Sequence, residues 1–287
     1  MTQIARHPET GGAFLFWGIG YDRWMKSLRH HALELLAIAD AHEKCRRVRE
    51  ADWQRDIAAD EVIVYQALLP GRSEKPELVS PHRVPQRSIA TPQGRAALIH
   101  ALAHIELNAV NLALDIVWRF ANLPDQFYRD WIGVACEEAS HFEMLDAHLA
   151  TLGHRYGDFP AHNGLWDMAE KTRDDVLARL ALVPRMLEAR GLDVSPGIRD
   201  KLRSVGDTQG ADILQRILDD EIGHVAIGNR WFHALCDARG IDALAFEKHE
   251  RTSRNAPSPK GPFNRAARKQ AGFSEAELDV LDQGSVD

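Results

Sequence analysis

The chain has 287 residues, 45% of them hydrophobic and 27% charged, ordinary values for a globular protein long enough to bury a sizeable core without staples. Its net charge of −7 argues against a general nucleic-acid coat or a membrane-surface role. Cys45, Cys136 and Cys236 form no CxxC pair, which excludes zinc-ribbon and thioredoxin chemistry and fits a reducing compartment.

Along the chain, the apolar stretch from Gly12 to Gly20 is too short to span a bilayer and lacks the flanks of a signal peptide. A cytoplasmic location with no membrane partner is expected. Residues 1–70 are expected to be helical: Leu28, Ala32, Leu35, Leu36 and Ala39 recur at helical spacing in Ser27–Ala41, and Cys45–Ala59 reads as a polar continuation. Pro70, Pro76, Pro81, Pro85 and Pro92 then break any regular helix, so 71–90 is expected to be an extended arm lying on the surface.

Thr91-Pro92 is a helix start, a Thr cap followed by Pro at the first helical position. Four long helices are expected between 91 and 240. They run from 92 to Ala121, from Pro124 to Leu152, from Leu165 to Arg190 and from Gly206 to Arg239, the last three stopped by Gly153, Gly191 and Gly240. No strand-like alternation of useful length interrupts them. The expected fold is therefore all-α: a four-helix bundle with N-terminal helices, a proline-rich arm and a C-terminal extension over 241–287. In that extension Arg251–Gln270 carries six cations and no acid and is broken by Pro257, Pro259 and Pro262; Ser274–Glu277 is a capping box opening a short helix.

Within the bundle two phrases repeat, Glu138-Ala-Ser-His141 and Glu221-Ile-Gly-His224. Each sets a carboxylate and an imidazole three residues apart on one helical face, the spacing with which four-helix bundles hold paired metal ions. Each follows another glutamate in an apolar stripe, Glu106 by 138 − 106 = 32 residues and Glu188 by 221 − 188 = 33. Four carboxylates facing one core need a cation, because an unpaired buried carboxylate costs several kcal/mol or takes up a proton. The expected metal ligands are Glu106, Glu138, His141, Glu188, Glu221 and His224, with Glu138 and Glu221 shared between two ions. Glu106 and His141 would complete one ion, Glu188 and His224 the other. Oxygen and imidazole donors suit two irons, with manganese or a mixed pair as alternatives and zinc not excluded by ligand type. Glu137 and Asp220, one residue before each shared glutamate, are expected to orient the histidine of the opposite helix. His100 and His104 share a polar face with Asn108, Asn111 and Asp115, and His148, Tyr128 and Tyr156 read as packing residues.

These phrases resemble the family catalogued as domain of unknown function 455. The resemblance extends over nearly the whole chain. It is carried by Glu43-Lys44-Cys45, by Thr91-Pro92 through His104-Ile105-Glu106-Leu107, and by Glu137-Glu138-Ala139-Ser140-His141-Phe142. Leu187 to Asp193, Asp220 to Val225 and Lys260-Gly261-Pro262-Phe263-Asn264 complete it. It implies a ferritin-like core with a dinuclear metal site and supplies no substrate. A distant similarity to the di-iron hydroxylase of an isopentenylated tRNA base exists at the level of the fold.

The expected function is that of a non-haem di-iron oxidoreductase, a hydroxylase or oxygenase that uses O₂ and an external electron donor. Lys260, Arg265 and Arg268 would contact an anionic small-molecule substrate from a lid; the other reading of that segment is a strap that closes the bundle. RNA is limited to a small local contact, and an oligomer is compatible with the sequence. Iron or peroxide handling of the ferritin or rubrerythrin kind is the alternative, set back by the ninety residues before the bundle and by the missing rubredoxin-type cysteine pairs. A non-catalytic protein clipped by its metal is a third.

Overall fold

The computed structural model describes residues 27–85 and 87–284; expectations for residues 1–26, the Gly12–Gly20 stretch included, lie outside them. Helix α1 (Leu28–Leu36) opens at Ser27, whose hydroxyl accepts from the His30 N–H at 3.3 Å. Helix α2 (Ala41–Glu50) opens at Asp40, which accepts from the Glu43 N–H at 2.8 Å. Such caps satisfy amides that have no partner within the helix. The helical continuation expected to Ala59 stops at Glu50, and 51–85 and 87–91 are irregular apart from one 3₁₀ turn at Pro81–Arg83. Backbone carbonyls in this stretch find a partner that the sequence pattern does not announce. The buried Arg29 guanidinium donates to the carbonyls of Ala58 (2.8 Å) and Glu61 (2.5 Å), and also to those of Val117 (3.2 Å) and Trp118 (2.7 Å). One side chain thus pins the irregular segment to the C-terminal end of the following long helix, where carbonyls lack intrahelical partners. Farther on, Val79 and Ala161 share a 2.8 Å backbone hydrogen bond that holds the arm to the bundle.

Helices α3 (Pro92–Arg119) and α4 (Asp125–Thr151) form the closest-packed pair. Helix α3 begins as expected, with Thr91 accepting from the Gly94 N–H at 3.0 Å. By length and composition α3 alone among the described helices is apolar enough to cross a membrane, but 72% of its most apolar stretch is buried inside the protein; the bundle core accounts for that apolarity.

The third bundle element differs from the single helix expected over Leu165–Arg190. It consists of α5 (Gly164–Lys171), α6 (Val176–Leu182), a π-helical turn (Val183–Glu188) and α7 (Arg190–Ser204). Two physical causes divide it. Between α5 and α6 the buried Arg179 fills the break, donating to the Ala169 carbonyl (2.6 Å) and to the Thr172 hydroxyl (2.8 Å). At Pro184, which has no N–H, the ladder widens, and the Ala189 N–H reaches the Pro184 carbonyl five residues back at 3.0 Å. Gly191, expected to end this element, instead lies inside α7 and leaves the helix running to Ser204.

Helix α8 (Thr208–Arg239) ends at Gly240, whose φ of 62° is the left-handed conformation of a helix stop. It packs on α4, α6, the π turn and α7. Gly228 lets it approach: a Cβ there would stand 2.8 Å from the Pro184 Cβ. The extension forms α9 (Ala243–Ser253), α10 (Arg265–Gln270) and α11 (Glu275–Gly284). Helix α11 opens on the expected box, with Ser274 N–H and hydroxyl both 2.8 Å from the Glu277 carboxylate.

Arg179 also meets Asp115 of α3 at 2.5 Å, with neither side chain more than 1% exposed. Replacing Asp115 with Ala strands that guanidinium in the core. A loss of about 3–5 kcal/mol in unfolding free energy is expected, measured by urea titration of the variant against the parent chain.

Candidate metal centre

Helix α3 carries Glu106, α4 carries Glu138 and His141, α8 carries Glu221 and His224, and Glu188 is the last residue of the π turn. Neighbours at helical spacing around the first five are apolar and buried: Ile99, Ala103 and Val110 about Glu106, Val134, Ala135 and Phe142 about Glu138, Leu214, Ile217 and Val225 about Glu221. The carboxylates therefore face inward with their helices. Glu106 is 4% exposed, Glu138 2%, His141 1% and His224 2%, so none has bulk water to solvate its charge. Ligand-type atoms of Glu106, Glu138, His141 and Glu221 all lie within 4.8 Å of one another.

Both histidines are oriented alike. The His141 Nδ1 is 3.2 Å from Glu106 Oε2 and 3.2 Å from Glu138 Oε2, while its Nε2 is 3.1 Å from Asp220 on α8. The His224 Nδ1 is 2.9 Å from Glu138 Oε1 and 3.9 Å from Glu221 Oε1, while its Nε2 is 2.6 Å from Glu137 on α4. Each Nε2 thus meets an acid of the opposite helix, and each Nδ1 turns to the carboxylate cluster. Glu138 presents one oxygen to each imidazole. The contact of His224 Nδ1 with Glu138 is short but lacks hydrogen-bond alignment, and Glu221 Oε2 is likewise buried without a hydrogen-bond partner. Such orphaned atoms are rare in folded proteins and are compatible with a site for a cation.

The charges report the same crowding. Burial and the neighbouring Glu138 hold Glu106 well above the usual carboxylate range. Burial, then the charges of Glu221 and Glu138, push Glu188 up to about 8; Glu221 also rises by burial and by Glu138. Glu138 goes the other way: burial opposes its ionisation, but His224 and His141 overcome that and hold it low. Burial disfavours the charged imidazole of His141, yet its bonds to Glu106 and Glu138 raise it to about 11, and His224 is raised by Glu138 and Glu137 in the same way. The carboxylates around them favour positive charge on both imidazoles.

The remaining residues singled out from sequence lie elsewhere. The His104 ring bonds to the Tyr156 hydroxyl (2.7 Å) and faces the His162 carbonyl (3.1 Å), His148 meets Asp207 at 3.0 Å, and Tyr128 donates to the Phe120 carbonyl at 2.9 Å. Arg268, expected to face substrate, is buried against Asp193 (2.8 Å) and the Ala189 carbonyl (3.3 Å), and Arg265 pairs with Glu275, Asp279 and Asp282. Both guanidiniums are thus paired with acids of this chain. Lys260 is exposed, and its carbonyl accepts from Arg190 at 2.6 Å. The π turn that delivers Glu188 was missed from sequence; its signal is Pro184, four residues before the glutamate inside an otherwise helical stripe.

Fold and site together define an all-α protein with a buried cluster of carboxylates and imidazoles that is compatible with metal binding. The chain belongs to the family described as protein of unknown function DUF455, whose profile matches residues 37–279. It is 43% identical over 267 residues to an uncharacterized protein of Haemophilus influenzae (strain ATCC 51907 / DSM 11121 / KW20 / Rd), an alignment covering 86% of this chain and 90% of that one. No solved structure matches it.

A pH dependence follows for the metal-free protein. The folded state keeps the Glu188 proton up to about pH 8, whereas the unfolded chain releases it near pH 4.3. Between those values the folded state binds more protons, so stability falls as pH rises. Denaturant midpoints recorded across this window are expected to decline, and Glu188→Gln is expected to flatten the decline.

Proposed function

We propose that this chain is a ferritin-like, non-haem dinuclear metal oxidoreductase, with iron as its preferred metal, that uses O₂ to hydroxylate or oxygenate an organic substrate. The observation that carries the reading is the matched orientation of the two histidines. Each has Nε2 anchored by an acid of the opposite helix and Nδ1 turned to one oxygen of the same carboxylate. Anchoring Nε2–H on a carboxylate fixes the tautomer whose Nδ1 lone pair faces the cluster and makes that nitrogen a better donor.

Glu106 and His141 would hold one ion, Glu188 and His224 the other, with Glu138 and Glu221 shared. Two metal ions bound there would supply the redox electrons and the electrophilic oxygen chemistry that the side chains lack. The protein's own contribution is threefold. Apolar packing around Glu138 excludes bulk water from it. The anchored imidazoles hold their donor atoms without reorganisation. Glu106 and Glu188 are held toward their protonated forms, so metal loading would displace protons and binding would strengthen as pH rises. The donor set, carboxylate and imidazole without thiolate, favours iron or manganese over softer metals. Among the thiols, Cys136 lies beside Glu137 but is directed to the Val48 carbonyl at 3.6 Å.

Anaerobic reconstitution with ferrous iron tests the reading. About two irons per chain are expected, with O₂ consumption and an optical change on exposure to air. Glu138→Ala or Glu221→Ala is expected to lose both irons, while His104→Ala, across α3 from the cluster, keeps them. Retention of both irons by Glu138→Ala, or iron bound without O₂ consumption, would contradict the proposal in its metal and its oxidase part respectively.

A further inference from the structure

A second site lies on the far side of α3. His104, Asn108 and Asn111 are displaced from Glu106 by 2, 2 and 5 residues, which places them about 140–160° around the helix. They form one wall of a cavity of about 40 Å³, closed by α2 and by the segment from Gly71 to Leu78. Three cations, Lys44, Arg72 and Lys75, contribute to its lining, and no carboxylate does.

Lys44 is 1% exposed. Its ammonium donates to Asn111 Oδ1 at 2.6 Å and to the Gly71 carbonyl at 3.2 Å. Two neutral acceptors serve three N–H groups, and among the described residues no acid lies within ion-pair distance. Burial, reinforced by the nearby Arg72, draws Lys44 down to about 7, the condition of a cation held without its counter-ion. Arg72 is half-buried; its guanidinium donates to the Asn163 side-chain carbonyl at 2.5 Å. Asp146 stands behind Tyr156, accepting from its backbone N–H at 3.1 Å, and among the residues lining the cavity none carries negative charge. The Tyr156 hydroxyl is bonded to His104 and its ionisation is pushed up by burial, and burial lowers His104 to about 4.

Buried cations are paired in folded proteins because desolvation without a partner costs several kcal/mol. We propose that the cavity between Lys44 and Arg72 is a binding site for an oxyanion, a phosphate or carboxylate group. The ammonium offers a point charge and the guanidinium a planar fork, the two donor types that such groups accept. The volume suits a head group and not a whole metabolite. Arg72, Gly71 and Leu78 also border a groove of about 810 Å³ that is lined by Tyr65, Leu68, Trp118 and Trp166. The oxyanion therefore has two sources, free in solution or at the head of an amphiphile whose apolar part enters the groove. The site shares no residue with the carboxylate cluster and stands independently of the metal reading.

Thermal melting of the metal-loaded full chain tests it, with inorganic phosphate and with octyl phosphate as probes. The melting temperature is expected to rise with the logarithm of probe concentration. In Lys44→Met and in the more exposed Arg72→Met the affinity is expected to fall at least about tenfold. Octyl phosphate binding more tightly than phosphate supports the amphiphile source; equal binding supports the free ion. No rise with either probe overturns the proposal. So does an equal rise in both variants, which would place the anion at the metal cluster or at an adventitious surface.

Discussion

Gathering four carboxylates at one apolar core, Glu106 and Glu138 buried and Glu188 and Glu221 partly exposed, is the constraint on which the rest of this structure depends. Like charges a few ångströms apart in a water-poor interior do not all ionise without added positive charge. The protein meets this by inserting two imidazoles among them and by backing each with an acid on its outer nitrogen. Without metal, the outcome is a mixture of protonation states: Glu138 held ionised, Glu106 and Glu188 held protonated, both histidines charged. That arrangement is balanced but poorly satisfied: His224 Nδ1 meets Glu138 Oε1 at 2.9 Å without hydrogen-bond alignment, and Glu221 Oε2 is buried without a hydrogen-bond partner.

Much of the surrounding architecture fixes Glu188, the one expected ligand that no regular helix delivers. Glu188 ends the π turn, and the turn is held from three sides. Pro184 packs against Gly228 of α8, the preceding α6 is anchored to α3 by Arg179 and Asp115, and the following α7 is held by Arg268 through Asp193 and the Ala189 carbonyl. Arg185, within the turn, pairs with Glu247 of α9 and with Glu277 of α11. The C-terminal extension therefore acts on the cluster indirectly, by fixing the backbone from which Glu188 projects.

Helix identity and the two Glu-x-x-His faces were legible because both are local. Caps at Thr91 and Gly240 and the Glu-x-x-His spacing need only near neighbours in sequence, and the two acids at 137 and 220 fall next to their glutamates. What could not be read depends on partners far along the chain. The polar run after Glu50 looks helical until Arg29, 29 residues before Ala58, captures its carbonyls. The third element looks continuous until Arg179 and Pro184 are seen to divide it, and Gly191 looks like a stop until the helix is seen to pass through it. The cations of 251–269 look free because Asp193, the partner of Arg268, and Asp174, the partner of Arg254, lie in other segments. Lys44 was read only as part of a family phrase; its lack of an acidic partner is visible once α2, α3 and the arm are assembled.

The account stands or falls on whether cations occupy the cluster. Anomalous diffraction at the iron edge, from crystals of the chain reconstituted with ferrous iron, tests this most directly. Two peaks are expected, both enclosed by Glu106, Glu138, His141, Glu188, Glu221 and His224, with Glu138 between them. A single peak, no peak, or iron bound only at other residues would contradict it.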